Sequence, residues 1–258
     1  MAKAAAAVET QDMFEGKEEV PEEKEEATTT EKAVATADGT AVATAEDYAE
    51  LFDLKENMEG VDVRLPQIEV IHRGQMFILP GDEKVDKFEG IILDTNNVNA
   101  WWQVSFEESG GGSPPQCFSP DGVRPSGLSE VPQAQWCSKC DQNKFGSAGR
   151  GKACKNMKRV HVRMPDAFLP YRLTLPPSNL QAIHEYITSM SSKGVPYQGV
   201  VTEFSLKKGQ NKEGIEYSLI NCKMKEKLFL NMLKEIKKQR DELLSIMREQ
   251  AVGAEEYA

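Results

Sequence analysis

From residue 64 onward, apolar and polar positions mostly alternate with the period of two expected of β-strands. Ile68-Glu69-Val70-Ile71 and Gln75-Met76-Phe77-Ile78-Leu79, separated by Arg73-Gly74, predict a hairpin. Phe88 to Asp94 and Ala100 to Phe106 predict two further strands, parted at the turn-prone Thr95-Asn96-Asn97. Arg159 to Met164 and Tyr171 to Leu175 alternate in the same way. Pro176-Pro177-Ser178 then stops the strand and starts a helix, with Ser178 as N-cap because its hydroxyl can accept from an orphan first-turn N–H. Leu180, Ile183, Ile187 and Met190 share one face of that helix, and Lys193-Gly194 closes it. Gly199 to Leu206 and Ile215 to Cys222 form a second hairpin across Lys212-Glu213-Gly214. Phe229, Leu233, Ile236, Leu243 and Met247 recur at helical spacing and predict a terminal helix from about Lys225 to Gln250.

The predicted order is strands, an irregular stretch, a strand, a helix, two strands and a helix. That order implies an α+β, mainly β fold: an OB-like five-stranded barrel over residues 61–222, with an inserted loop at about 107–158. Residues 223–258 supply a C-terminal helix and tail. Residues 46–60 read as a short amphipathic helix or linker, with Tyr48, Leu51, Phe52 and Leu54 roughly on one side. Residues 1–45 read as a disordered arm, because their Glu and Ala/Thr runs bury too little apolar area to offset ordering entropy.

Charge sharpens this division. Residues 1–60 hold 17 acids and 5 bases, a net of −12, whereas residues 61–258 hold 24 acids and 26 bases, a net of +2. The overall −10 is therefore a property of the N-terminal region. No stretch approaches the roughly 20 apolar residues of a membrane span, and no signal peptide is recognisable. A soluble, intracellular protein without a membrane partner is expected.

The irregular stretch carries the chemistry. Cys117, Cys137, Cys140 and Cys154 are spaced C-x19-C-x2-C-x13-C, and the segment is too poor in apolar residues to fold unaided. A C-x2-C turn points two thiolates at one ion, and two flanking cysteines complete a tetrahedral set. In a reducing compartment this reads as a metal site before a pair of disulfides. Four thiolates leave no position for water, so a structural Zn2+ is expected, with an iron–sulfur cluster as the alternative for the same ligands. Cys222, in an apolar strand, reads as a core thiol, and His161 as a surface strand histidine.

Nine cations fall between Lys139 and Arg172, against two acids: Lys139, Lys144, Arg150, Lys152, Lys155, Lys158, Arg159, Arg163 and Arg172. Trp102, Trp136, Phe145 and Tyr171 lie among or near them, and Arg124 is within reach of the same surface. Cations that track phosphates beside rings that stack on bases are what a single-stranded nucleic acid requires. Neighbouring strand residues face opposite ways, so only one of Trp101 and Trp102 can line such a groove.

With these residues the chain resembles the zinc-containing single-stranded DNA-binding proteins of bacteriophages, the T4-type helix-destabilising proteins. The likeness lies in the OB-like strand order, the cysteine-rich insertion and the surrounding basic and aromatic residues. Cys117-Phe118-Ser119-Pro120-Asp121-Gly122 and Gly151-Lys152-Ala153-Cys154 also look like segments of phage and mobile-element proteins. The resemblance implies non-catalytic binding of single-stranded DNA or RNA, replication or recombination partners, and the cytoplasm of a bacterial or phage-infected cell. This chain departs from that family in offering four cysteines where the family uses three and a histidine, and in its acidic N-terminus. The alternatives are a zinc-ribbon interaction factor in replication or transcription whose terminal helix binds a partner, and an iron–sulfur nuclease using acids such as Asp62, Glu69, Asp82, Glu83 and Asp94. Walker, nucleophile-elbow and dinucleotide motifs are missing from the sequence.

Overall fold

A single 15-residue strand holds the two halves of the sheet together. The computed structural model describes residues 54–71, 74–104, 113–165, 167–210, 214 and 216–253. Residues 1–59 and 60–258 form separate units. In the first, the described residues contain helix α1 (Leu54–Met58); the expected arm 1–45 and the remainder of the expected 46–60 helix, up to residue 53, lie outside the described residues. The second unit runs through β1 (Gln67–Ile71), β2 (Met76–Leu79), β3 (Glu83–Val85), β4 (Lys87–Trp101), β5 (Cys117–Ser119), β6 (Lys155–Arg163), β7 (Tyr171–Leu175), helix α2 (Leu180–Ser192), β8 (Val200–Gln210), β9 (Glu216–Lys227) and helix α3 (Leu230–Glu249). Among the described residues no helix is long and apolar enough to cross a membrane.

The fold is mainly β, with a curled, mixed sheet and a C-terminal helix. Its strand order is β3-β2-β1-β7-β6-β4-β8-β9, with β5 added to β4. The β1–β7 pair is parallel and the other pairs are antiparallel. Among the described residues the sheet forms a half-barrel; the closed five-stranded ring expected from the strand order is not seen.

β4 runs straight through Thr95-Asn96-Asn97, where the sequence predicts a turn. The asparagines are held extended by remote partners: Asn96 donates to the Pro120 carbonyl at 2.8 Å and Asn99 to that of Gly122 at 3.2 Å. Those bonds replace the local ones that make asparagine a turn former. Phe106 lies outside the described residues.

The same strand changes partners along its length. Lys87 to Gly90 pair with β8, Ile91 to Ala100 with β6 and Asn99 to Trp101 with β5. Gly90 sits at the first handover, where an added Cβ would lie 2.4 Å from Val162 and 2.9 Å from the Arg163 carbonyl. Only glycine lets the strands approach so closely at the bend. Further on, Ile92 opposes Val162 while Asp94 opposes His161, so two residues of β4 advance against one of β6. This bulge shifts the alternation and turns Asp94 onto the face opposite Ile92.

The first core fills one face with Ile68, Phe77, Phe88, Ile92, Val160, Val162, Leu173, Leu175, Phe204 and Ile220, capped by Ile183 of α2. Phe88 stacks on Phe204 at 4.7 Å and meets Phe77 edge-on at 4.9 Å. The predicted cap Ser178 is exposed, and α2 starts beyond a 3-10 turn, Pro177–Asn179. Asn179, at the N-cap, turns its amide to β9, donating to the Ser218 carbonyl and accepting from the Ile220 N–H. Cys222 packs against this core as expected.

Helix α3 covers the other face. It starts at Leu230 because Lys225 to Lys227 continue β9. Ile236, Leu243 and Met247 are buried, while Phe229 at the N-cap is 78% exposed and outside the stripe. Asp94, 1% exposed, receives Arg248 through Nε at 2.9 Å and Nη2 at 3.1 Å, and Arg240 at 3.3 Å. The buried carboxylate is thus paired twice and pins α3 to the bulge of β4. Truncating it leaves two guanidinium groups without their buried counter-charge. Asp94→Ala is therefore expected to lose about 3 kcal/mol of stability in urea unfolding, against well under half of that for Lys238→Ala on the exposed side of α3.

Candidate metal centre and nucleic-acid interface

The sheet brings the four cysteines to one place. Cys117 on β5 opposes Trp101 of β4, and Cys154 immediately precedes Lys155, which opposes Ala100 on the other edge of β4. Two thiols 37 positions apart thus flank the end of a single strand. Cys137 opens the 3-10 turn Cys137–Lys139, and Cys140 stands between it and a second such turn, Asp141–Asn143. The Asn143 amide donates to the Cys137 carbonyl at 2.9 Å, and the Cys154 N–H donates to the Gln142 carbonyl at 2.8 Å. The turn is thereby fastened to the start of β6.

All four cysteines line one cavity with Asn99, Trp101, Phe118, Ser119, Asn143 and others. It offers about 10 Å3, room for one water-sized sphere and too little for an organic ligand. All five cysteines are free thiols. Among the described residues no group of three or more His, Cys, Asp or Glu side chains is drawn close enough to hold an ion as it stands. Zn–S bonds of about 2.3 Å require sulfurs within about 4 Å of one another, so zinc would have to pull this lining inward. The donor set fits zinc and the spacing is looser than a filled site. Burial, and then the thiols of Cys137, Cys140 and Cys117, push Cys154 up to about 12. Burial raises Cys117 as well. A bound cation reverses that balance, because a coordinating thiol is deprotonated outright.

The loop after Cys117 is shaped by Asp121. Its Oδ1 accepts from the Val123 N–H at 2.7 Å, the Ser119 hydroxyl at 2.8 Å and the Arg124 N–H at 3.1 Å. Gly122, at φ +72°, turns the chain against Asn97, whose Cβ lies 3.1 Å from where a side chain would start. Below the sheet, Phe118 joins Val98, Ala100, Met157 and Val252 in a second core.

The nine expected cations separate into groups. Lys139, Lys144 and Arg150 are exposed, Lys144 in an ion pair with Asp141 at 2.6 Å. Lys152 and Lys155 are half-buried. Lys152 donates to Asn156 at 2.9 Å and to Asn143 at 3.2 Å, and lies 5.3 Å from the Phe145 ring centre. Lys158 is 8% exposed. The arginines of the strands are not surface cations, contrary to expectation. Arg159 is fully buried and grips the Gln250 and Ala251 carbonyls, each at 2.7 Å. Arg172 is buried and donates to Gln67 at 2.7 Å, and Arg163 pairs with Glu235 of α3 at 2.9 Å. Both faces of this part of the sheet are covered, so the polar members of the alternation are internal too.

The rings also separate. Phe145 is 82% exposed on the turn between Cys140 and Cys154. Trp136 is half-buried, with the Arg124 guanidinium 3.7 Å above its ring. Trp102 packs on the second core and donates to the Ser113 carbonyl at 2.9 Å. Its neighbour Trp101 is the one facing the cysteine cavity. Tyr171 packs on the first core. His161, expected at the surface, is buried with Nε2 3.0 Å from Asn96 Oδ1. The insertion ends at Cys154, because Lys155 to Lys158 already belong to β6. The sequence reading missed the row of asparagine amides on the β4–β6 face: Asn156 donates to Asn99 at 2.6 Å beside the cavity. Their two-residue spacing, Asn97 with Asn99 and Lys158 with Asn156, was the available signal. Of the acids considered for a nuclease, Asp94 is sealed in its arginine pair.

Compared with protein-family models, curated proteins and solved structures, the chain matches none.

The Asp121 interactions set a pH dependence. Burial opposes ionisation, but the Val123 N–H, the Ser119 hydroxyl and the Arg124 N–H outweigh it and hold the carboxyl below its usual range. A depressed folded-state value contributes stability that is present above the unfolded carboxylate range and lost as pH falls through the folded value. Protection factors of the Val123 and Arg124 amides should therefore fall as pH drops below about 4. In Asp121→Asn, which keeps an acceptor but cannot titrate, they should be flat across that range.

Proposed function

We propose that the protein is a non-catalytic single-stranded DNA-binding protein of the phage or mobile-element kind. It would be built on an OB-like platform and have a structural zinc held by Cys117, Cys137, Cys140 and Cys154. The observation that carries this reading is Phe145: a phenyl ring 82% exposed, with Lys152 beside it, on a turn that also exposes Lys139, Lys144 and Arg150. Exposing a whole phenyl ring forgoes the roughly 1.5–3 kcal/mol its burial would give. A base stacked on it recovers that area, and the cations around it meet the neighbouring phosphates. Zinc, when bound, supplies a rigid cross-link between the Cys137–Cys140 turn, β5 and the start of β6. Lys139, Arg150 and Phe145 then contact the strand, and the sheet supports them.

One observation favours a second reading. The insertion also exposes Leu128 (80%), Val123 (50%) and Val131 (43%), an apolar surface of the kind a replication or recombination protein covers. In the zinc-ribbon alternative the partner would dock there and not on α3, whose apolar stripe is already packed on its own sheet.

The two are separated by titrating a fluorescent single-stranded oligonucleotide at several salt concentrations. The expected result is affinity that falls steeply as salt rises, with Phe145→Ala weaker by about 1–3 kcal/mol and unchanged in stability. Salt-insensitive or absent binding would leave the interaction reading. Metal analysis is expected to give one zinc per chain in colourless protein, and Cys140→Ser to lose it. Brown protein with visible absorbance would instead indicate an iron–sulfur centre.

A further inference from the structure

Two bulky apolar side chains, Phe229 (78% exposed) and Leu230 (70%), stand side by side where β9 hands over to α3. The local fold explains where they point. Leu228 is buried, and its N–H donates to the Gly199 carbonyl at 2.9 Å. Phe229 has extended backbone, φ −71° and ψ 158°. With Leu228 turned inward, its neighbours Lys227 and Phe229 turn outward together. Leu230 begins the helix, and the exposed Lys234, four positions on, is its neighbour on the helix surface.

Neither capping nor packing accounts for this corner. Phe229 occupies the N-cap position without a side-chain cap bond, where Ser, Asn or Asp would accept from a first-turn N–H. The helix docks through Ile236, Leu243 and Met247 and uses neither Phe229 nor Leu230. One exposed apolar residue is ordinary, but an adjacent pair this exposed marks a contact surface.

Charge says of what kind. From Lys223 to Lys234 there are four lysines and one acid, Glu226, in a chain of 31 bases and 41 acids. Lys225 is already engaged by Glu89 at 3.2 Å and Glu203 at 3.4 Å. Lys223, Lys227 and Lys234 are exposed, and among the described residues they form no ion pair. The ring thus sits inside a positive rim, as Phe145 does beside Lys152. A simple anion would use the lysines and leave the ring in water. A bilayer would require an apolar face that continues along the helix, but beyond Leu230 the exposed positions are Asn231, Lys234, Glu235, Lys237 and Lys238. A nucleotide uses both features, with its phosphate on an ammonium and its base on the ring.

We propose that Phe229, Lys227 and Lys234 form a second contact for single-stranded nucleic acid. A base stacks on Phe229, Leu230 packs against it, and the flanking phosphates meet the two lysines. This rests on the nucleic-acid reading above and adds a contact separate from the cysteine loop. Phe229 opens α3, a helix of 20 residues and about 30 Å, whereas Val252, beyond its far end, packs on Phe118 beside Cys117.

The test is Phe229→Ala, with Phe229→Tyr to keep a ring and Lys227→Gln for the phosphate contact. Lys84→Gln, an exposed lysine of β3 at the far edge of the sheet, is the control for net charge. Each full-length protein is titrated with oligo(dT) of about 16 nucleotides at several salt concentrations, and its urea unfolding is recorded. Phe229→Ala should bind about tenfold more weakly, with the salt slope and stability of the parent, and Phe229→Tyr should bind as the parent does. Lys227→Gln should lower the slope of log K against log salt by about 0.7, the share of one phosphate on a single strand, and Lys84→Gln should leave it unchanged. Parental affinity in Phe229→Ala overturns the proposal; if Phe145→Ala is weakened in the same assay, the cysteine-loop reading stands and only this corner is removed. A parent that binds no oligonucleotide removes both. A Phe229→Ala protein that is destabilised, or that sediments differently when free, would assign the ring to the fold or to a second copy of the chain and overturn the proposal as well.

Discussion

The bulge in β4 is the constraint on which the rest of the structure depends. Without it, Asp94 would share a face with Ile92 and meet the first core as an unpaired carboxylate. The extra residue between Ile92 and Asp94 moves the alternation by one, so Asp94 reaches Arg240 and Arg248 of α3. The same shift decides everything downstream on that strand. Asn96, Val98 and Ala100 go to the α3 side with the second core, while Asn97, Asn99 and Trp101 go to the side of the cysteine cavity. A single register change thus sets where the helix docks, where the second core forms and that Asn99 lines the cysteine cavity.

The cysteine loop uses that geometry to economise on its own folding. It contributes few apolar side chains, but two of its four thiols are placed by strand pairing before the turn is considered. Only the Cys137–Cys140 turn has to be brought over, and the Asn143 and Cys154 bonds already hold it. On the zinc reading, an ion would have to draw the four thiols inward, but it would not have to organise a loose loop. Phe118 ties the arrangement to the C-terminus, since it packs with Val252 just beyond the two carbonyls held by Arg159. Cysteine loop, sheet and tail therefore share one second core.

Much of this was legible in the sequence where local chemistry decides. The β1–β2 and β8–β9 hairpins, β7 and α2 follow from period-two runs and from Gly, Pro and Lys-Gly stops. The cysteine spacing announces one cluster, and the cysteines do meet in one cavity. What failed did so for long-range reasons. The asparagines of β4 are turn formers until Pro120 and Gly122 supply their partners, more than 20 residues on. Arg159 and His161 look like the solvent side of a half-buried strand, yet α3 and the tail cover that side. Arg159 finds its acceptors 91 and 92 residues away, a distance over which hydrophobic pattern carries no information.

The division between arginine and lysine follows from the chemistry of the two groups. A guanidinium is planar and weakly hydrated and presents a fork of donors, so it can be buried if carbonyls or carboxylates are placed to receive it. Arg159, Arg163, Arg172, Arg240 and Arg248 all serve the fold in that way, each reaching across from one element to another. An ammonium is compact and strongly hydrated, and most lysines here remain at the surface or, like Lys152, are solvated by amide oxygens. Lys158 follows the same pattern: the residue is 8% exposed, yet its ammonium is not among the buried side-chain nitrogens that lack a partner, so the stem is covered while the charge keeps its water.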